Sequence, residues 1–199
     1  MKKNFLAGLL VILLLVGMVG VANSSPINVA TSGTASQSST GTWGSTGYAS
    51  NAIDGDLTSS WNWESDVDNS ISHTEKESQA WWQVQLDKVY DIEQLVLWNR
   101  GDNVQNRLNN FDIFILNSNA NETEWSSLGN STFFPSLAVD YNPAVAGDIV
   151  KIQLQGTNYL HLAEVQVFTA APVPEPSTIL LLGSGLLGLG WYGRKRKKA

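Results

Sequence analysis

Residues 94–116 read QLVLWNRGDNVQNRLNNFDIFIL, and they contain two strand-like runs joined by a polar connection. The runs Gln94–Trp98 and Phe111–Leu116 have the apolar, β-branched and aromatic character of sheet segments. Between them, Gly, Asn and Asp residues favour a loop or a bulge. The stretch therefore predicts two strands of a sheet with a polar loop at one rim.

That loop carries two arginines, Arg100 and Arg107, which lie seven residues apart. A further donor, His73, comes eight residues before the Trp81-Trp82 pair that opens the preceding strand. Because a guanidinium presents five N–H donors in fixed geometry, these groups near one rim predict a site for an oxygen-rich ligand. The alternative is that each Arg pairs with one of the many nearby carboxylates, and spacing alone favours this alternative.

The N-terminal end is predicted to lie outside the folded domain. Residues 1–24 begin with the basic pair Lys2-Lys3, continue with an apolar run over Phe5–Val21, and end in the small residues Ala22–Ser24. A basic start, an apolar middle and a small-residue cleavage site are typical of a secretory signal peptide.

The C-terminal end, residues 172–199, has a different order of features. Pro174-Glu175-Pro176 is followed by an apolar run over Ile179–Tyr192 and then by a basic tail, Arg194–Lys198. The run is shorter than the ~20 residues that usually span a bilayer, and its basic end is expected on the cytoplasmic side. Motif, apolar run and basic tail together resemble the PEP-CTERM sorting signal of bacteria. The resemblance implies a transient or permanent membrane anchor, an exosortase as processing peptidase, and export to the envelope, cell surface or extracellular matrix.

Between these ends, residues 25–171 are predicted to form one domain of ordinary size. This segment contains five basic and seventeen acidic residues, so its net charge is near −12 with the histidines neutral. Such a charge disfavours nucleic acid as a partner and favours cations. The chain has no Cys, so no disulfide supports the exported fold, and a bound metal would be a useful alternative cross-link.

The domain reads as short strands separated by turn signals, and no segment shows a sustained helical period. Residues 117–129 are predicted to form a long polar connection. This pattern indicates an all-β sandwich. The predicted strands are Ile27–Ala30, Trp81–Leu86, Asp91–Trp98, Phe111–Leu116, Ile149–Leu154 and His161–Phe168.

A group of oxygen-bearing side chains suggests a metal site. Asn51, Asp54 and Asp56 lie within six residues around a Gly turn, which suits Ca²⁺ because this ion takes 6–8 oxygen ligands. The alternative is an Asx-rich turn bonded to its own backbone, and the residues leave the two interpretations equally open. Glu164, in the last strand, is a candidate distant ligand, because a buried carboxylate needs a positive partner.

Six motifs of the domain can be read together: Asn28-Val29-Ala30, Ala35-Ser36-Gln37-Ser38, Ala49–Gly55, His73 with Trp81-Trp82, Asn99–Asp102 with Arg107, and Leu162–Val165. Taken together, these motifs resemble the F-type lectins, or fucolectins, a branch of the discoidin (factor 5/8 C-terminal) domain superfamily. The resemblance implies an eight-stranded jelly-roll sandwich, like that of galactose-binding domains, that binds L-fucose through His73, Arg100 and Arg107.

The same resemblance implies a calcium ion near the sugar. Animal members often have two adjacent cysteines where this chain has Asn103 and Val104, so the apolar platform under the sugar is expected to differ. Trp43, Tyr48 or Trp63 are candidates for an apolar wall. The calcium ligands implied are Asn51, Asp54, Asp56, Ser70, Glu164 and the carbonyl of Ala163.

Three functions compete. The first is a non-catalytic, calcium-dependent or calcium-stabilised lectin that binds a glycan or exopolysaccharide. The second is a structural biofilm or matrix protein whose sugar pocket is unused. The third is a glycan-active enzyme, which would need two carboxylates flanking a cleft. The sequence pairs no such carboxylates and shows no nucleophile–base motif, so it predicts no catalytic residue.

Overall fold

The computed structural model describes residues 25–41, 47–58, 71–118, 122–127 and 132–170, together with residues 183, 185 and 186. The chain divides into two compact units, and residues Pro26–Ala170 form one of them. The predicted signal peptide and most of the predicted sorting segment lie outside the described residues. Within the described residues, no helix is both long enough and apolar enough to cross a membrane.

In the unit Pro26–Ala170, the described residues form strands and three short 3-10 helices, at Ala30–Ser32, Ala49–Ile53 and Gln105–Arg107. The predicted all-β class is therefore correct. The described residues form eleven strands rather than the eight implied, and five of them have only two residues. The strands are β1 (Ile27–Asn28), β2 (Thr34–Gln37), β3 (Ser72–His73), β4 (Glu77–Ser78), β5 (Trp81–Trp98), β6 (Phe111–Asn117), β7 (Glu122–Ser127), β8 (Ser136–Leu154), β9 (Thr157–Asn158), β10 (His161–Leu162) and β11 (Glu164–Thr169).

The main sheet has the order β1-β11-β5-β8-β6-β7, with β2 also paired to β5. Its two long strands, β5 and β8, run antiparallel and take part in both halves of the sandwich. The first part of β5 pairs with β2 and with the end of β8, whereas the second part pairs with β11 and with the start of β8. Two separate two-stranded sheets, β3–β10 and β4–β9, complete the pairings among the described strands.

Both long strands bend where their pairing is interrupted. Residues 86–89 of β5 lie opposite the single residue Asp148 of β8, and further on residues 141–144 of β8 lie opposite the single residue Glu93. Such bulges let a strand change direction. Asp148 is buried at the first bulge, where it accepts hydrogen bonds from the Ser118 amide (2.9 Å) and from the Gln85 amide group (3.3 Å).

The core lies between the two halves of the sandwich, because alternate side chains along each strand point inward. Trp82, Val84 and Leu86 of β5 are buried, as are Ile113 of β6 and Ile152 of β8. Each such side chain contributes about 1.5–3 kcal/mol on burial. The indole of Trp82 also donates to the Ala49 carbonyl (2.9 Å), which fixes the 3-10 helix Ala49–Ile53 against the sheet.

The strand predictions were correct in part. The predicted strand Ile27–Ala30 ends at Asn28, and Ala30 begins a 3-10 helix. Trp81–Leu86 and Asp91–Trp98 are parts of the single strand β5, and Ile149–Leu154 is only the end of β8. The polar connection predicted over residues 117–129 was wrong, because β7 lies within it. The predicted strand His161–Phe168 is interrupted at Ala163, whose amide donates to the Trp98 carbonyl (2.9 Å). That interruption separates β10, which pairs with β3, from β11, which pairs with β5.

Candidate functional site

His73 is held by the backbone of two glycine-containing segments. Its carbonyl accepts from the Gly41 amide (2.8 Å), and its amide donates to the Gly47 carbonyl (3.1 Å). A Cβ on Gly41 would collide with Nδ1 of the His73 ring, so the missing side chain at position 41 lets the imidazole lie there. The Gln37 amide group donates to the Gly47 carbonyl (2.9 Å) and to the His73 carbonyl (3.3 Å). The ring position of His73 is therefore fixed from several sides.

The structure adds two aromatic residues to the predicted set. In the β3–β10 pair, His161 lies opposite His73, and the two ring centroids are 4.4 Å apart. Tyr159 lies beside both, with its ring centroid 5.5 Å from that of His73 and 6.2 Å from that of His161. Sequence reasoning missed both residues. Since the chain has only two histidines, the composition was the available signal for His161.

Arg100 is the second residue after the end of β5, and it is almost completely buried. Asn99 fixes its backbone: the Asn99 Oδ1 accepts from the Arg100 amide (2.8 Å), and the Asn99 Nδ2 donates to the Phe133 carbonyl (2.9 Å). The guanidinium donates through Nε and Nη2 to the two carboxylate oxygens of Asp102, with Nη2–Oδ2 at 2.6 Å. For Arg100, the structure therefore has the carboxylate pairing that spacing alone favoured.

Arg107 differs from Arg100. It ends the 3-10 helix Gln105–Arg107, and its Nη1 lies 3.4 Å from Nε2 of His161. Its guanidinium carbon lies 4.7 Å from the ring centroid of Tyr159, within cation–π range. Among the described residues, no carboxylate lies within ion-pair distance of Arg107. The Asp102 carboxylate therefore pairs with the Arg100 guanidinium, whereas the Arg107 guanidinium contacts the aromatic rings of Tyr159 and His161.

Both histidines are kept neutral. Burial lowers the pKa of His73 to about 4, and the positive charges of Arg100 and Arg107 act in the same direction. Burial also lowers the pKa of His161 to about 2, and His73 and the two arginines lower it further. The arginines are thus close enough to His73 to affect its protonation. A neutral imidazole has one donor and one acceptor nitrogen, so such a site suits hydroxyl groups.

A second group of residues surrounds Glu164, the first residue of β11. This side chain is fully buried, and neither carboxylate oxygen has a hydrogen-bond partner among the described residues. Burial raises the pKa of Glu164 to about 7, and the negative charges of Asp54 and Asp56 add to this effect. The nearby Gly55 amide opposes it, although this amide does not reach hydrogen-bonding geometry with either oxygen. Asp148, which is also buried, receives several hydrogen bonds, so the two carboxylates contrast directly.

The other predicted calcium ligands are placed as follows. Asp54 and Asp56 are exposed and form an Asx turn, in which Asp54 Oδ1 accepts from the Asp56 amide (2.8 Å). The Asn51 Nδ2 donates to the Ile71 carbonyl (3.4 Å), and Ala163 is buried next to Glu164. Ser70 lies outside the described residues. Within the described ranges, no three His, Cys, Asp or Glu side chains cluster closely enough to hold a metal by themselves, so amide and backbone oxygens would have to contribute.

Of the three candidates for an apolar wall, Trp43 and Trp63 lie outside the described residues. Tyr48 is 55% exposed and directly follows Gly47, which contacts the His73 backbone. At the positions of the missing cysteines, Asn103 has a positive φ of 67° and Val104 is half-buried.

Two family profiles match this chain, one in the folded domain and one at the C-terminal end. The profile of the NedA-like, galactose-binding domain matches residues 51–152, and the profile of the PEP-CTERM protein-sorting motif matches residues 172–197. The first profile describes a galactose-binding-like domain of the F5/8 type C class, and the second describes a sorting signal.

Individual similar proteins indicate the family within this class. Fucolectin-6 of Anguilla japonica is 34% identical over 148 residues, which cover 73% of this chain and 77% of that protein. The lectin domain of lectinolysin, solved with Lewis b antigen, is 37% identical with a TM-score of 0.64, over 73% of this chain and 98% of that one. The Streptococcus pneumoniae fucose-binding module SpX-3 is 31% identical with a TM-score of 0.64, over 73% and 99%. The chain belongs to the fucolectin family of F5/8 type C domains and carries a PEP-CTERM motif.

The two buried histidines make the stability of the domain pH-dependent. The unfolded chain takes up protons on both imidazoles as pH falls below about 6.5, whereas the folded chain does not until about pH 4 for His73. The free energy of unfolding should therefore fall with decreasing pH, by about 1.4 kcal/mol per pH unit for each histidine well below pH 6.5. Urea denaturation of the wild type and of His161→Asn between pH 6.5 and 5 measures this effect. The free energy of unfolding should change less steeply with pH in the variant. Comparing the two removes the contribution of Glu164, which both contain. Equal slopes would contradict a neutral, buried His161.

Proposed function

We propose that this chain is a non-catalytic, calcium-stabilised lectin that binds a fucose-containing glycan outside the cell. The observation that carries the proposal is Arg107, a guanidinium beside the neutral His73–His161 pair with no carboxylate partner among the described residues. Guanidinium N–H donors without an acidic partner are suited to neutral acceptors such as sugar hydroxyls. The relatives support the choice of sugar, because one is a fucose-binding module and another was solved with Lewis b antigen.

Binding would use the three predicted residues in different ways. Arg107 would donate to adjacent hydroxyls of the sugar ring, and neutral His73 would donate or accept one further hydrogen bond. Asp102 fixes the plane of the Arg100 guanidinium, so Arg100 would present its donors in a constant direction. Such preorganisation raises affinity because less side-chain freedom is lost on binding. The exposed ring of Tyr48 would cover an apolar face or methyl group of the sugar.

One observation favours the second candidate, a matrix protein with an unused pocket. Arg100 is buried and bidentate to Asp102, which is how a purely structural arginine is held. The two candidates differ in what they predict for Arg107, because only the lectin needs its donors.

Truncating Arg107 tests the lectin function. Arg107→Ala should weaken binding of a fucosylated oligosaccharide at least tenfold, since each charge-assisted hydrogen bond contributes about 1.5–3 kcal/mol. Arg107→Lys should fail nearly as badly, because one ammonium group cannot replace the planar fork. Titration calorimetry with melting curves measures affinity and folding together. Lys88→Ala is the control, because Lys88 is a cation that lies over the ring of Tyr90 rather than over that of Tyr159. This variant should bind the sugar like the wild type. Wild-type affinity in a folded Arg107→Ala variant would exclude the site.

Calcium is the second part of the proposal. The residues fit this ion because Glu164 is a buried carboxylate without a hydrogen-bond partner in the part of the chain that the structure describes. It also lies close enough to Asp54 and Asp56 for their charges to raise its pKa. Asn51, Asp54, Asp56 and Glu164 would hold the ion, with Ser70 and the Ala163 carbonyl. Bound calcium would neutralise these carboxylates and hold the segment Asn51–Asp56 against the first residue of β11. It would supply charge neutralisation and rigidity to the fold.

Calcium should therefore raise the melting temperature of the protein. At a calcium concentration a hundredfold above Kd, the stabilisation is about 2.7 kcal/mol. Asp54→Asn should abolish the shift, while Asp140→Asn, which removes an exposed carboxylate on β8, should keep it. Thermal scans with EDTA, CaCl₂ and an equal concentration of MgCl₂ separate a calcium site from a general salt effect. An identical melting temperature in EDTA and in CaCl₂ would exclude the metal.

Export and anchoring form the third part. The PEP-CTERM match supports export, a temporary membrane anchor and release by an exosortase-type peptidase to the surface or matrix. Mass spectrometry of the protein from its native host should then detect peptides of the lectin domain and none beyond about Pro176. Peptides from residues 179–198 in the mature surface protein would contradict processing. A chain with Pro174 and Pro176 replaced by Ala is the control, because it should keep those peptides.

A further inference from the structure

The guanidinium of Arg107 lies against two side chains, those of Tyr159 and His161. Its guanidinium carbon lies 4.7 Å from the ring centroid of Tyr159, and its Nη1 lies 3.4 Å from Nε2 of His161. These contacts involve one face and one N–H of the same guanidinium. Among the described residues, no carboxylate takes part.

The segment that carries both aromatic residues is fixed to the His73 strand. The Leu160 amide donates to Thr74 Oγ1 (2.9 Å), and the Thr74 amide donates to the Leu160 carbonyl (3.0 Å). The Tyr159 amide donates to Asn158 Oδ1 (2.9 Å), which holds the turn between β9 and β10. Tyr159 therefore has a defined position relative to His73. Because its ring contacts the Arg107 guanidinium, a fixed ring can restrain that guanidinium as well.

We infer that Tyr159 and His161 are positioning residues: they hold the Arg107 guanidinium in one orientation, Tyr159 by stacking under its face and His161 by accepting an N–H. This inference rests on the proposed sugar-binding function. A free arginine side chain loses rotamer entropy when it binds a ligand. At Arg100 the Asp102 carboxylate removes that freedom, but a second carboxylate at Arg107 would compete with sugar hydroxyls for the same donors. Neutral rings restrain the guanidinium and leave donors for the ligand.

The test combines sugar affinity with the motion of single arginines in the full-length chain. Tyr159→Leu removes the aromatic face, while Tyr159→Phe keeps it. We expect Tyr159→Leu to weaken binding of a fucosylated oligosaccharide by about two- to thirtyfold, the range of cation–π contacts from exposed to desolvated sites. Tyr159→Phe should remain near the wild-type value. Tyr90→Leu is the matched control, because Tyr90 also lies under a cation, Lys88, but eight residues before the end of β5.

Nuclear magnetic resonance of the arginine Nε–H groups, recorded without sugar, reports the positioning itself. In Tyr159→Leu, the heteronuclear Overhauser effect of Arg107 should fall to that of a mobile side chain, while that of Arg100, held by Asp102, should stay high. Arg107→Lys assigns the signal. An unchanged Arg107 signal in Tyr159→Leu would overturn the inference even if affinity fell. Equal loss at Arg100 and Arg107, with a lower melting temperature, would also overturn it, because Tyr159 would then only support the fold.

The sugar-binding function and the positioning role of Tyr159 can be contradicted separately. If the wild-type chain binds no fucosylated oligosaccharide, the proposed function is wrong, and the Arg107 signal still decides whether Tyr159 positions the guanidinium. If the wild type binds and the Arg107 signal does not depend on Tyr159, the lectin function stands and the positioning role is wrong.

Discussion

The antiparallel pairing of β5 with β8 is the constraint on which the rest of the structure depends. It runs from Trp81–Gln153 at one end to Trp98–Ser136 at the other, with bulges that let both strands pass from one half of the sandwich to the other. Because β5 ends at Trp98, the next residues, Asn99 and Arg100, begin at the rim. The Trp98 carbonyl then accepts from Ala163, which ends β10 and lets β11 start at Glu164. One strand end thus places the Arg100 loop, the β10 segment and Glu164 together.

Electrostatics explains why so few basic residues can form a site. Residues 25–171 contain only two arginines among many acidic residues, and the two arginines have different surroundings in the fold. Asp102 neutralises Arg100, which makes its burial possible, since an unpaired buried charge is costly. Arg107 is only partly buried and contacts Tyr159 and His161 instead. Burial and the two positive charges keep both histidines neutral, so the site offers donors and acceptors rather than more positive charge.

The sequence was sufficient for the class of fold and for most of the residues that meet at the rim. Alternation of apolar residues located β5, β6 and the end of β8, because these strands have one buried face. It did not locate the start of β8 or β7, where polar residues interrupt the alternation and only pairing with a neighbouring strand defines the structure. Spacing selected His73, Arg100 and Arg107, but their roles depended on partners. The Asp102 pair is local and could be foreseen, whereas Tyr159 and His161 reach Arg107 across more than fifty residues of chain.

Several features of this rim would destabilise a domain that had no ligand. The two neutral buried histidines resist protonation. Among the described residues, Arg107 has no carboxylate partner and the buried carboxylate of Glu164 accepts no hydrogen bond. Away from the rim the same kinds of groups are satisfied: Ser118 and Gln85 donate to Asp148, and Ser38 and Ser39 donate to Glu77. Buried polar groups without hydrogen-bond partners are expected where a structure serves binding rather than stability. The buried Oε1 of Gln37 in β2 likewise has no hydrogen-bond partner among the described residues, and the same side chain donates to the His73 carbonyl. These groups support, independently of the relatives, the proposal that this rim binds a ligand.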